Sequence, residues 1–412
     1  MRVGIEKINI YGCSLSLDMQ ELAQARGADP NDAVNVYMIK HRSLNPPWED
    51  AVTMGANAAR KMLTEEDRKS IGMLIVGTEG GVDFGKPMST NILGALGLPT
   101  SVRNYETKHA CYSGVAALDT AVNWLAAGLN HGKKALVIAT DFSRAHLGLR
   151  EEFVMGGVGA AVLVSTEPKV LEFELQKKGI WTTDVYDTFR PSARHEVGNN
   201  EVSLFSYMDA LEGSFKDYAA VVKALTGEHV DYETYFKYVI FHTPFAGITF
   251  QAHRTLSNLT ERRKKHVLKE SFDRRVVPTL RYSRRLGSTY GASNFAGICS
   301  LIKSADDLRA GDRIGLFAYG SGAIGEFYSG TVCPEARAVV DALAIDEALD
   351  SRRQVSVEQY ERIERVRETY TESPNVEPDF AMLGDWYDSF YRGKGYLVLR
   401  RVADFYRTYE WS

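Results

Sequence analysis

The chain has 412 residues, 44% of them hydrophobic and 25% charged, which is material for a large buried core or for two fused halves. A net charge of -4 carries no basic excess, so neither nucleic acid nor an anionic membrane is an expected partner. Cys13, Cys111, Cys299 and Cys333 are widely spread with no CxxC pair, which argues against a disulfide framework and a metal site and fits a cytoplasmic protein. Charges interrupt the N-terminal MRVGIEKINIYG, and no run of about 18 apolar residues follows, so no export or spanning segment is expected.

In chain order, the runs VGIEKINIYG, SIGMLIVGTEG, KALVIATDFS, GVGAAVLVS, YVIFHTP, AGICSLI, RIGLFAYGSG and KGYLVLRRVADF read as buried strands. Helical patterns lie between them, as where Val115, Leu118, Ala121, Val122 and Leu125 recur at three- and four-residue spacing. Strands alternating with helices predict an α/β fold. The segments after Cys111 and after His242 repeat one order of helix-opening turn, buried strand and glycine-rich strand. Two α/β halves, 1–166 and 167–412, are therefore expected, with ligand chemistry at strand ends between them. DTFRPSARHEVGNN reads as a surface excursion, LSNLTERRKKHVLKESFDRR as a solvated charged helix, and IDEALDSRRQVSVEQYERIERVRE as an exposed helix without chemistry.

Three of these segments carry groups that make and break bonds. ETKHACYSGVAALD places Cys111 at a strand-to-helix turn, where the positive end of a helix lowers a thiol pKa and small neighbours admit a substrate chain. Glu79 ends a strand among glycines in IVGTEGGVDFGKPMS, where burial raises a carboxyl toward the range of a general base. His242 closes the apolar strand YVIFHTPFAG, able to serve an oxyanion or take a proton. In FAYGSGAIGEF the turn at Gly320 and Ser321 offers backbone N–H groups to a developing negative oxygen. Each segment alone also fits a structural role; together the three strand ends form a constellation.

The motifs GTEGGVDFGKPMST, ETKHACYSGVAAL, AVNWL, GGVGAAVLV, YDTFRP, SLFSYMDAL, FHTPFAG, AHRTL and YGSGAIGEFYSG resemble, over nearly the full length, the 3-hydroxy-3-methylglutaryl (HMG) synthases of the thiolase superfamily. The likeness is greatest to members linked to acyl carrier proteins in polyketide β-branching cassettes. It implies a layered αβαβα subunit of two pseudo-duplicated halves, assembled as a homodimer. It implies that Cys111 is the acylated nucleophile, Glu79 the general base and His242 the residue serving the acceptor carbonyl. The substrates would be acetyl-acyl carrier protein as donor and a β-ketoacyl-acyl carrier protein as acceptor, each presented on a phosphopantetheine arm, with no tightly bound cofactor.

Members that use coenzyme A carry lysines after the His-x-Pro turn, where this chain has Ala246, Gly247 and Ile248. Loss of those cations fits a carrier protein, and Arg262, Arg263, Lys264 and Lys265, or Arg284 and Arg285, are candidate docking patches for an acidic one. Where the family commonly has an asparagine, this chain has Ser288; Thr289 is a candidate substitute and Asn294 is not. Tyr207, beside Ser206, falls where the family lines its substrate tunnel. The coenzyme A-dependent synthase of isoprenoid precursor biosynthesis, and a non-catalytic thiolase-fold protein that only holds a carrier, are the alternative readings.

Overall fold

The computed structural model describes residues 1–143, 147–259 and 261–412. In chain order its main elements are β1 (Gly4–Tyr11), α1 (Ala51–Met62), β2 (Ile71–Gly77), β3 (Arg103–Thr107), α2 (Ser113–Ala126), β4 (Lys134–Phe142) and β5 (Gly157–Ser165). There follow β6 (Leu171–Thr182), α3 (Asn200–Thr226), β7 (Tyr238–Phe241), α4 (Ile248–Ser257), α5 (Lys265–Arg275) and α6 (Ser293–Ser304). The chain ends with β8 (Arg313–Gly320), β9 (Ile324–Val332), α7 (Val357–Tyr370) and a hairpin of β10 (Leu397–Ala403) and β11 (Tyr406–Trp411).

Nine strands order as β7-β8-β9-β6-β1-β5-β4-β2-β3. The pairing repeats. β1, β5 and β4 run antiparallel in succession and β4 pairs parallel with β2. β6, β9 and β8 run antiparallel in succession and β8 pairs parallel with β7. The two sets join only where Gly4 and Ile5 of β1 meet Glu172 and Leu171 of β6. Helix α1 packs on β1, β4 and β5, α2 on β2 and β4, α6 on β7 and β8, and α3 on β6 and β9. This is a thiolase-like α/β fold. The central helices α2 and α6 meet at their starts, where a side chain on Gly114 would sit 2.2 Å from the Gly291 carbonyl oxygen. Only glycine permits that approach, and it draws the two halves together beside Cys111.

The stripe of Val115, Leu118, Ala121, Val122 and Leu125 is buried in α2 as its spacing requires. AGICSLI differs: it lies in α6, buried on all sides between the halves. A fully buried helix has no polar stripe, so its short apolar run looks like a strand. The segment from Ile345 is two helices rather than one, broken at Arg353 and Gln354, which pair with the strand Leu15–Asp18. Ser356 restarts the second with a capping box to Gln359, and α7 buries Tyr360, Ile363 and Glu364. The charged stretch after Leu256 breaks likewise, into α4 and α5. No helix of the described residues is long and apolar enough to cross a membrane.

Candidate active site

The ends of β2 and β8 both press on the turn that carries Cys111. A side chain on Gly77 would collide with the Ser113 carbonyl, 2.5 Å away, and one on Gly320 with the His109 oxygen and Tyr112 Cβ at 2.4 and 2.6 Å. Ala110, immediately before the cysteine, takes a left-handed φ of 42°, a strained setting for a residue with a Cβ. Three of the four cysteines are buried, and Cys111 alone is partly accessible.

Two residues beyond the end of β2, Glu79 reaches this turn, and the Cys111 thiol donates to its Oε1 at 3.3 Å. Glu79 is fixed through its backbone, whose N–H donates to Asp141 Oδ1 at 3.0 Å; the Thr78 hydroxyl donates to the same oxygen at 2.6 Å. Asp141 ends β4, parallel to β2, which explains how two carboxyl groups become neighbours. Its Oδ2 is buried without a partner, the setting of a protonated carboxyl. Burial, then the charge of Glu79, pushes the Asp141 pKa up. Burial also raises Glu79, against the pull of Arg190. Arg190, bonded to Glu196 at 2.7 Å, keeps its charge despite burial because Glu79 and Glu196 hold it.

The helix start does not lower the thiol pKa as expected. Cys111 lies two residues before α2, and burial followed by the charge of Glu79 pushes the thiol well above its ordinary value. Cys111 is thus a thiol whose hydrogen-bond acceptor is the Glu79 carboxyl group.

His242 stands one residue past β7, the strand that repeats β2, and is buried. Its N–H donates to the Phe317 carbonyl and its own carbonyl accepts from the Tyr207 hydroxyl, both at 2.7 Å. The imidazole lies 6.2 Å, centroid to centroid, from the rings of both Tyr207 and Tyr319. Burial lowers its pKa to about 3, so the ring is neutral. Tyr319 bridges the halves: its ring neighbours His242, and Gly320 after it packs on the Cys111 turn. Its hydroxyl donates to Asp187 Oδ2 at 2.7 Å, while the Gly322 N–H donates to Asp187 Oδ1 at 2.9 Å.

Asp187 is fully buried and Arg190 faces the Glu79 and Asp141 carboxyl groups, so these two residues of the expected surface excursion point inward, while Phe189 and Pro191 are exposed. The sequence reading missed Asp141, Asp187, Arg190 and Tyr319. Ser288 is buried with its N–H bonded to the Val154 carbonyl, and the Thr289 hydroxyl beside it is buried and unpartnered. Asn294 is committed to the Tyr328 hydroxyl at 3.1 Å. Of the candidate docking cations, Arg285 is paired with Asp346 and Asp350 and Arg263 with Glu233, while Arg262, Lys264 and Lys265 are exposed.

A thiolase-like subunit with a cysteine–carboxylate pair at one strand end and a buried histidine at its repeat has the architecture of a condensing enzyme. The chain belongs to the hydroxymethylglutaryl-coenzyme A synthase family. The N-terminal model of that family matches residues 1–169 and the C-terminal model 249–410. It is 36% identical to the polyketide biosynthesis 3-hydroxy-3-methylglutaryl-ACP synthase PksG of Bacillus subtilis, over 99% of both chains. It is 32% identical to the hydroxymethylglutaryl-CoA synthase of Enterococcus faecalis, over 88% of this chain and 91% of that one. Among solved structures, the HMG synthase of the curacin biosynthetic pathway superposes with a TM-score of 0.94 at 37% identity over the whole of both chains, and has been solved with an acetyl donor-ACP.

Proposed function

We propose that the protein is a carrier-protein-dependent HMG synthase, which condenses acetyl from acetyl-acyl carrier protein with the β-keto carbon of a polyketide β-ketoacyl-acyl carrier protein. The observation that carries this is the Cys111–Glu79 contact of 3.3 Å, with His242 at the repeated strand end, in a chain of this family. Glu79 accepts the thiol proton as Cys111 attacks the acetyl thioester, and passes it to the departing phosphopantetheine thiol. The same carboxylate then removes a methyl proton, and the enolate carbon attacks the acceptor ketone. Neutral His242 donates its N–H to the ketone oxygen, which draws that proton as it becomes alkoxide, and solvent restores it. Water cleaves the cysteinyl thioester, leaving a β-hydroxy-β-carboxymethyl chain on its carrier. Cys111 and Ser321 supply backbone N–H groups to the tetrahedral oxygens, with Gly320 holding Ser321 against the cysteine turn.

Tyr207 supports His242 from behind, and Ser288 with Thr289 faces the acceptor. The halves divide at 166/167. The enzyme is a cytoplasmic homodimer without a tightly bound cofactor, and the outer edge of β3, the last strand of the sheet, is the surface through which copies pair. Arg262, Lys264 and Lys265 dock the acidic carrier.

Intact-protein mass spectrometry tests the reading. Acetyl-carrier protein is expected to acetylate the wild type and not Cys111→Ser; no adduct on the wild type refutes catalysis, and equal loading from acetyl-coenzyme A refutes the choice of carrier. The raised carboxyl pKa of Glu79 sets a pH dependence: loading needs the ionised form, present above that pKa, and falls as pH drops through it. Arg190→Gln, or the milder Arg190→Lys, removes or loosens the cation that favours ionisation. The acid limb of the loading rate is expected to move to higher pH, and an unmoved limb excludes this role for Arg190.

A further inference from the structure

A ketone acceptor has two arms at its reacting carbon. One leads to the thioester and carrier, and the other, in a polyketide, is the rest of the chain. Toward α2 and β8 the Cys111 turn is closed, because Gly114 and Gly320 already touch backbone. On the Glu79 side it is less tightly closed: a side chain on Gly80 would lie in ordinary contact, 3.7 Å from Arg190 Nη1 and Asp141 Oδ1, with no backbone against it. Beyond Gly80, over the ends of β2 and β4, lies a cleft of about 990 Å³ whose walls include Gly80, Val82, Phe142, Glu49, Arg367, Ser373 and Leu399. Two of these residues adjoin Glu79 and Asp141 in sequence, so the cleft begins one residue from the chemistry. It is at the upper end of the roughly 300–1,000 Å³ that small-molecule sites occupy.

The cleft is also chemically equipped. Phe142 and Leu399 give it apolar wall, and the Arg367 guanidinium lies 4.6 Å from the Phe142 ring centroid, bonded to the Ser143 carbonyl. Glu49 is 4% exposed; its Oε1 accepts from the Tyr11 and Tyr391 hydroxyls, whereas its Oε2 is buried without a partner. Burial raises its pKa to about 7, so it can donate or accept near neutrality. An isolated oxygen of this kind is costly unless a ligand hydroxyl or carbonyl reaches it.

We propose that this cleft receives the part of the acceptor chain beyond its keto carbon, and selects long, oxygen-bearing β-ketoacyl chains. The inference rests on the proposed condensation. It is tested with two acceptors on one carrier protein, acetoacetyl and a hydroxylated β-ketododecanoyl chain, by the ratio of their kcat/KM values in the wild type, Ser373→Trp and Val82→Trp. The two tryptophans fill the cleft from different segments, and thermal unfolding reports that each variant is folded. The long-to-short ratio is expected to fall about tenfold or more in both variants. An unchanged ratio, or a wild type that accepts only acetoacetyl, overturns the proposal while leaving the condensation intact. A changed oligomeric mass in the variants at unchanged ratio makes a second copy of the chain the occupant and overturns it too. Turnover of neither acceptor by an acetylated wild type instead sinks the proposed function.

Discussion

Glu79→Ala is expected to lower carbon–carbon bond formation about a thousandfold and acetyl loading by a smaller factor, about tenfold. A positioned general base is worth roughly 10²–10⁴ in rate, and Glu79 is the carboxyl group bonded to the Cys111 thiol. Loading suffers less because two effects oppose each other. The alanine removes the acceptor of the thiol proton, yet it also removes the charge that pushes the Cys111 thiol up. Quenched-flow mass spectrometry of the Cys111 adduct separates the steps. The variant should accumulate acetyl-enzyme that turns over on addition of acceptor at a rate near background. Glu79→Gln should behave alike, because an amide fills the space without the basicity. Condensation at more than a tenth of the wild-type rate in either variant would assign the base to another group.

The parts of the site legible in the sequence are those whose neighbours along the chain announce them. Cys111 sits between a strand and an apolar helical stripe, and Glu79 and His242 each end a run too apolar to hide a polar residue without reason. The thiol pKa differs from the local cue, a helix start, because that cue is outweighed by burial and then by a carboxylate 32 residues away in sequence. Asp141 was hidden inside a strand whose value lies in its parallel partner, and parallel pairing joins residues that no local pattern connects. AGICSLI was misread for the opposite reason. It is buried against both halves, so the polar face that identifies a helix is missing. The repeat of the two halves was legible as an order of turns and strands. That β7 repeats β2, so that His242 answers Glu79, emerges only from the pairing.

Asp187→Ala is the second large effect, expected to lower kcat about a hundredfold with little change in the KM for donor. Asp187 touches no reacting atom in the proposed mechanism; it acts through the turn after β8. Its two oxygens take the Tyr319 hydroxyl and the Gly322 N–H, which flank Gly320 and Ser321. That turn presses on the Cys111 segment, so loosening it displaces the Ser321 N–H from the oxygen it must hold, and loss of one such donor costs roughly 10²–10³ in kcat. The variant also deprives the buried Tyr319 hydroxyl of its Asp187 acceptor, at about 1–3 kcal/mol, so the thermal midpoint should fall by a few degrees. Asp187→Asn separates the two consequences. Its single acceptor oxygen serves one donor while its NH₂ group faces the other, so packing is kept and the turn is still freed on one side. It should therefore regain most of the thermal midpoint and only part of kcat. Recovery of both in step would reduce Asp187 to a structural group, and an unaffected kcat in the alanine variant would remove the turn from the chemistry.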